Sequence, residues 1–247
     1  ALEALNIAEG FDLKAMGAQS ADTYHHLIES MRLAFADAFE YIADPTQASV
    51  PTAELVSKDY ARTRRALIDP KRAMDTVPYG KVHGGSDTVY ISAVDGEGNA
   101  CSFIYSIYAN FGTGMVVPGT GIVLHNRGSL FSLDSGHRNA LAPGKRPYHT
   151  IIPGMATVDG ELYLCYGVMG AFMQPQGHLQ VISNVVDFSM DPQAALNALR
   201  FAVSLDDVAL EEGLSPQVVE DLASRGHNTR LIRGYHRGIT GGFGGAQ

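Results

Sequence analysis

The chain has 247 residues, 45% hydrophobic and 18% charged, a balance ordinary for a globular protein and able to fill one large domain or two modest ones. A formal net charge of -8 and a pI near 5.5 argue against a nucleic-acid binder, and the longest basic run, Arg62-Thr63-Arg64-Arg65, reads as a solvated helix face. No apolar run reaches membrane length, and no signal peptide stands out.

Ala1–Ala8, apolar at Leu2, Leu5 and Ile7 and without a cap, reads as the tail of a helix with sequence missing upstream. Ser20 reads as an N-cap, with Asp22 in the first turn. Tyr24, Leu27, Ile28, Met31, Phe35, Ala38 and Ile42 follow at spacings of three and four. They predict an amphipathic helix of about five turns, stopped by Asp44-Pro45. Ser57–Leu67 reads as a shorter basic helix ended by Asp69-Pro70. Residues 70–87 carry Pro78, Gly80, Gly84 and Gly85 and read as an exposed linker.

The period then changes to two. Thr88–Val94 and Ala100–Tyr108 read as strands joined by the turn Asp95-Gly96-Glu97-Gly98-Asn99, with both faces partly buried. Ile122–Leu124, Thr150–Ile152, Met155–Val158 and Glu161–Cys165 read as further strands, and residues 126–149 as irregular and polar. Cys101 and Cys165 sit in apolar strand contexts and are expected as buried free thiols. Gly167–Gly177 is a glycine-rich loop between a strand and a helix that Pro175 can open. Pro192–Phe201 and Pro216–Ser224, the latter capped by Ser215, read as helices, and the glycine-rich run ending at Gln247 stops abruptly. Helices, then strands, then helices, without regular βαβ alternation, predict an α+β fold with mostly antiparallel sheet.

Gly112-Thr113-Gly114 lacks the spacing and the following helix of a dinucleotide fingerprint, and no phosphate-loop lysine or Gly-x-Ser-x-Gly occurs. His25 and His26 are adjacent on a helix and point apart, so they make no metal pair, and no cofactor is expected. Thr88 is the residue with latent chemistry. As the first residue of a chain, a threonine can use its own amine as base for its own hydroxyl. Spacing alone gives it the ordinary role of a β-branched residue opening a strand. Gly167-Val168-Met169-Gly170-Ala171-Phe172, before a helix, could offer backbone N–H groups to an oxyanion or be a plain turn.

In order and spacing, Thr88–Asp95, Phe111-Gly112-Thr113-Gly114, Gly119-Thr120-Gly121-Ile122, Pro143-Gly144-Lys145-Arg146-Pro147 and Gly167-Val168-Met169-Gly170 closely resemble the γ-glutamyltranspeptidase family. Ala34-Phe35-Ala36-Asp37 and Asp44-Pro45 look like the end of that family's large subunit. The resemblance implies an N-terminal-nucleophile hydrolase fold, an αββα sandwich with two sheets between helix layers, here incomplete. It implies a division into residues 1–87, the helical end of a large subunit with its linker, and 88–247, a small catalytic subunit. It further implies self-cleavage between Asp87 and Thr88, giving a two-subunit heterodimer. Thr88 would attack a γ-glutamyl or related amide carbonyl and pass the acyl group to water or an amino acceptor.

By the same resemblance Ser106 supports the nucleophile, and Gly170 and Ala171 form the oxyanion hole, with alanine in place of a second glycine. Among substrate-binding positions, Tyr108 replaces an asparagine, Arg127 a glutamine, and His149-Thr150 a serine pair. Leu130 replaces the aspartate that pairs with the glutamyl ammonium. These departures are similar to the acylase-like branch with cephalosporin acylase relatives. The alternatives are a cephalosporin-acylase-like amidase, or an inactive partial subunit.

Overall fold

The computed structural model describes residues 1–77, 87–204, 207–234 and 246–247. Helices α1 (Leu2–Ala8), α2 (Leu13–Met16) and α3 (Ala21–Tyr41) open the chain. The Ser20 hydroxyl accepts the Thr23 N–H at 3.0 Å, so the expected cap forms. The apolar stripe of α3 is buried from Tyr24 to Phe35 against the second half of the chain. Past its end, Asp44 accepts from the Arg146 backbone N–H at 2.9 Å and from Arg146 Nη2 at 3.1 Å. These bonds, with those from Thr46, hold the Asp44 carboxyl well below the usual carboxylate range and tie α3 to a loop 102 residues away.

α4 (Thr52–Leu55) and α5 (Lys58–Arg65) follow. The basic face of α5 is not simply solvated. Arg64 pairs with Asp37 at 2.8 Å, and Arg65 donates to the Ile7 and Asn6 carbonyls at 2.7 Å, so the long side chains clamp α5 onto α1 and α3. The linker is also less exposed than expected. Ala73 is buried, its N–H donates to the Arg225 carbonyl at 2.7 Å, and the Met74 N–H donates to Glu29 at 2.9 Å. Pro78, Gly80, Gly84, Gly85 and Ser86 lie outside the described residues.

β1 (Asp87–Val94) and β2 (Ala100–Tyr108) form the predicted antiparallel hairpin, and β3 (Gly154–Val158) pairs antiparallel with β4 (Glu161–Tyr166). One face of the first hairpin is open: Val89, Ile91, Phe103 and Tyr105 are exposed, and so is Cys101, while Cys165 is half-buried. The burial falls on the other face, where the Tyr90 hydroxyl meets Ser102 at 2.7 Å and Ser102 donates to the Gly154 carbonyl at 2.9 Å. Two expected strands are absent. Ile122–Leu124 belongs to an irregular loop pair with a single bridge, Val116 to Val123. In Thr150–Ile152 side chains take the ladder bonds: the Ile151 N–H goes to His149 Nδ1 and the Ile152 N–H to Gln174 Oε1.

α6 (Met173–Val186) starts two residues before Pro175 and runs through Gly177, so the special loop is only residues 167–172. α7 (Pro192–Asn197) is shorter than expected because Phe201 opens a sheet that the sequence pattern did not announce. That sheet has β5 (Phe201–Val203) antiparallel to β6 (Val208–Glu211), and β6 parallel to β7 (Thr229–Ile232) across α8 (Pro216–Ser224). Ser215 precedes α8 but makes no side-chain cap bond. The free edge of β5 is lined by α6, whose Gln176 and Gln180 bond the Val203 and Phe201 backbone as a neighbouring strand would. Among the described residues no helix is long and apolar enough to cross a membrane.

A histidine pair joins α3 to the α8–β7 turn. His25 Nε2 meets the Asp69 carbonyl at 2.7 Å, and His25 Nδ1 meets His227 Nε2 at 2.8 Å. A carbonyl only accepts, so neutral His25 carries its proton on Nε2, and His227 must donate to its Nδ1. Burial pushes His25 down to about 4 and His227 down to about 3. Both rings are uncharged in the fold but charge in the unfolded chain below about 6.5. The unfolded state then binds more protons, so this contribution is complete above about pH 6.5 and is lost as pH falls through it. The urea midpoint is expected to drop between pH 7.5 and 5, and to drop less in His227→Gln. An equal drop in that variant would place the sensitivity elsewhere.

Candidate active site

The site is built from the register of one hairpin. The Asp95 carboxylate accepts the Glu97 and Asn99 N–H groups at 2.9 Å and the Asn99 side chain at 2.8 Å, which lowers its pKa and fixes the turn. That register sets Thr88 opposite Ser106. It slips once, between Asp87 and Thr88, because Asp87 pairs with Tyr108 and skips Ile107. The Ile107 carbonyl is turned instead to the Asn126 N–H at 3.2 Å. The Asp87–Thr88 peptide therefore lies where the ladder is broken. The Asp87 side chain lies outside the described residues.

Three donors converge on Ser106 Oγ: the Thr88 hydroxyl at 3.0 Å, the Tyr108 N–H at 3.1 Å and Arg127 Nη2 at 3.0 Å. An oxygen with two lone pairs cannot serve all three fully. The amide and the guanidinium are fixed donors, so Thr88 is the one that can turn its proton away.

Arg127 stands on a single 3-10 turn, Arg127–Leu130. Only 5% of it is exposed. Its Nη1 donates to Thr150 Oγ1 at 3.3 Å, and its guanidinium carbon lies 5.0 Å from the centre of the Tyr108 ring. No ion pair joins it to a carboxylate among the described residues. Burial lowers its pKa and raises that of Tyr108. Tyr108 has φ +78, a left-handed conformation that a bulky residue holds at a cost of about 1–2 kcal/mol. This turn ends β2 and swings the ring under the guanidinium. His149 is exposed, yet partial desolvation of its ring, with Arg127 and Arg146 nearby, lowers its pKa. Leu130 packs against the main core, so an apolar group stands where the resemblance implies an acid.

The segment 167–172 approaches from the other side. A Cβ on Gly167 would come within 2.2 Å of the Tyr90 ring, so only glycine allows this contact. Gly170 has φ +117 and Ala171 φ +51. Their carbonyls accept the Met173 and Gln174 N–H groups at 2.8 and 3.0 Å, while their own N–H groups make no hydrogen bond among the described residues. Two adjacent free N–H groups just before α6 are suited to a developing negative charge. Ala171 is buried in the same apolar cluster as Tyr108. Because its φ is left-handed, Ala171→Val is expected to lower stability by about 2 kcal/mol or more. Ala171→Gly should stay within about 1 kcal/mol and keep the N–H. Thermal melting of both variants checks this.

The structure thus joins Thr88, Ser106, Tyr108, Arg127 and Thr150 by direct contacts, with His149 at the edge. Two supports escaped the sequence reading. Asn126 accepts the Ala109 N–H at 2.9 Å and donates to the Gly112 carbonyl at 2.9 Å, holding the loop after β2. Gln174, fully buried, holds Ile152. Gln174 had a faint signal, a polar residue beside the apolar stripe of a helix. A cavity of about 550 Å³ opens elsewhere, lined by Arg32, Arg72, Asp207, Arg225 and His227, and contains none of these site residues.

The fold is that of an N-terminal-nucleophile hydrolase. Residues 1–240 match the family model described as gamma-glutamyltranspeptidase, and the chain belongs to that family. The crystal structure of a cephalosporin acylase from Bacillus halodurans superposes with a TM-score of 0.87 at 43% identity, covering 99% of this chain and 43% of that one. A glutathione hydrolase-like proenzyme of Bacillus subtilis (strain 168) is 33% identical over 237 residues, 94% of this chain and 44% of the relative. An oxamate amidohydrolase proenzyme of Klebsiella pneumoniae is 35% identical over 226 residues, 89% of this chain and 42% of the relative. The chain therefore spans less than half the length of these relatives.

Proposed function

We propose that this chain is part of the precursor of a threonine amidohydrolase or acyltransferase, with residues 1–87 ending its large subunit and 88–247 belonging to its small one. The observation that carries the reading is Thr88 Oγ1, 3.0 Å from Ser106 Oγ at a break in the β1–β2 ladder. In self-cleavage Oγ1 attacks the Asp87 carbonyl carbon, its proton passes to the Thr88 nitrogen as the C–N bond breaks, and an ester forms. Water then hydrolyses the ester, leaving an Asp87 carboxylate and a free Thr88 amine. In turnover that amine takes the Oγ1 proton as the oxygen attacks a substrate amide. The Gly170 and Ala171 N–H groups receive the oxyanion, the amine leaving group departs with a proton, and the acyl ester passes to water or an amino acceptor.

The acyl donor is a γ-glutamyl amide such as glutathione or a related acyl amide, as the relatives' names suggest. Leu130 favours the second, acylase-like choice, because no acid stands there to meet an α-ammonium. The proposed chemistry uses no cofactor, and Tyr108, Arg127, His149 and Thr150 shape the acyl pocket. Mass spectrometry of the full-length protein under denaturing conditions tests the reading. It is expected to show two pieces with Thr88 as a new N-terminus, and an uncut, inactive chain would overturn it.

A further inference from the structure

We propose that Arg127 sets the protonation of the Thr88 amine. Its buried cation keeps that amine neutral, and so able to accept the Oγ1 proton, at a pH where a free α-amine is still charged. Arg127 is in this sense a positioning residue, and the proposal rests on the reading of Thr88 as an N-terminal nucleophile.

The geometry is short-range. Ser106 Oγ lies 3.0 Å from both Thr88 Oγ1 and Arg127 Nη2, so those two atoms are at most 6.0 Å apart. The Thr88 nitrogen is about 3 Å from its own hydroxyl by covalent geometry, which puts the cation within about 9 Å of the amine. The charge is weakly screened, because Arg127 is 5% exposed and no ion pair among the described residues neutralises it. Two hydroxyls and the face of the Tyr108 ring orient the guanidinium without cancelling it. A fixed cation disfavours a second one nearby, so the amine titrates lower than its ordinary value of about 7.7–8.0. The expected size is about one pH unit at about 9 Å and an effective dielectric constant of about 20–40.

Among the described residues, the other titratable groups near the amine do not offset this. Tyr90 on β1, Tyr108 on β2 and Tyr166 on β4 all have raised pKa values from burial and remain uncharged phenols. His149, from the segment before β3, has a lowered pKa and remains a neutral imidazole near pH 7. His125 Nδ1 accepts the Arg127 backbone N–H at 3.2 Å. The loop 167–171 contributes no titratable side chain. Asp87 leaves the Thr88 nitrogen when the bond is cut, and its side chain lies outside the described residues.

Arg127→Gln removes the charge and keeps an amide donor, whereas Arg127→Lys keeps the charge and loses the fork. The test is the pH profile of kcat/KM on an uncharged acyl p-nitroanilide, so that no substrate carboxylate masks the arginine. The acid limb is expected about one pH unit higher in Arg127→Gln and within a few tenths of wild type in Arg127→Lys. Carbamylation of the Thr88 amine by cyanate, followed by mass spectrometry, should give the same midpoints without turnover. An unmoved limb in Arg127→Gln, or an equal move in Arg127→Lys, overturns the proposal. If Arg127→Gln does not fold, the wild-type midpoint decides: it must lie below the ordinary α-amine range, and a value within that range overturns the proposal. An uncut chain, or turnover surviving in Thr88→Ala, sinks the underlying reading and this one with it. A cut, active enzyme with an unmoved limb sinks this one alone.

Discussion

Thr88→Ala is expected to leave the precursor uncut and to lower amide turnover by at least about 10⁴-fold, the loss typical of removing a nucleophile. Alanine removes the oxygen that would attack in both proposed reactions. The hydroxyl of Ser106 lies 3.0 Å away, but its oxygen is already the target of the Tyr108 N–H and Arg127. It is also mid-chain in β2 and has no amine of its own. The fold should survive, because Thr88 is only half-buried and its hydroxyl bond to Ser106 is worth about 1 kcal/mol. Thr88→Ser keeps the hydroxyl and the amine and should retain cutting and part of the turnover. Cleavage is read by mass spectrometry and turnover by anilide release. Full activity in the alanine variant would remove Thr88 from the chemistry.

The largest expected loss of stability lies at α6. Gln180 Oε1 accepts the Phe201 N–H at 2.9 Å and its Nε2 donates to the Phe201 carbonyl at 3.0 Å. Gln176 does the same for Val203, with its Nε2 3.2 Å from the carbonyl. Phe201 is fully buried, so Gln180→Leu strands a backbone donor and acceptor away from water. At about 1–3 kcal/mol for each stranded group, the variant should lose about 3 kcal/mol or more. Gln176→Leu should lose a similar amount. The double variant should lose less than both together, since Gln180 Nε2 also bonds the Gln176 carbonyl and the two share β5. Urea unfolding measures all three, and a loss under about 1 kcal/mol in Gln180→Leu would show that water or a shift replaces the bonds.

These glutamines also mark where the sequence stopped being readable. Helix α3 and the β1–β2 hairpin were legible because their signals are local: a 3.6-residue stripe behind a serine cap, and two alternating runs around an Asx turn. The sheet of β5, β6 and β7 was not, because Phe201-Ala202-Val203 and Val208-Ala209-Leu210 are short, wholly apolar and without period. Ile122 and Thr150 have strand-like composition, but their neighbours' N–H groups go to loop carbonyls and side chains.

For the candidate site, Thr88, Ser106, Gly170 and Ala171 were singled out only through the order of several motifs, and of these the structure brings Thr88 and Ser106 into contact. The contact of Arg127 with Thr150 spans 23 residues of irregular chain and leaves no periodic trace. The exposure of Val89 and Ile91 was equally invisible, since alternation shows which residues share a face but not what covers it.

Helix α3 belongs to residues 1–87, yet Tyr24 donates to the Leu199 carbonyl at 2.8 Å, and Ile28, Met31 and Phe35 share a core with Phe201, Leu210 and Leu222. Breaking the chain at Asp87–Thr88 would leave that core intact and change the molecularity of its loss. The uncut molecule unfolds to one chain, the cut one to two. The apparent melting point of the cut form therefore rises with protein concentration, and dilution becomes a denaturant for it alone.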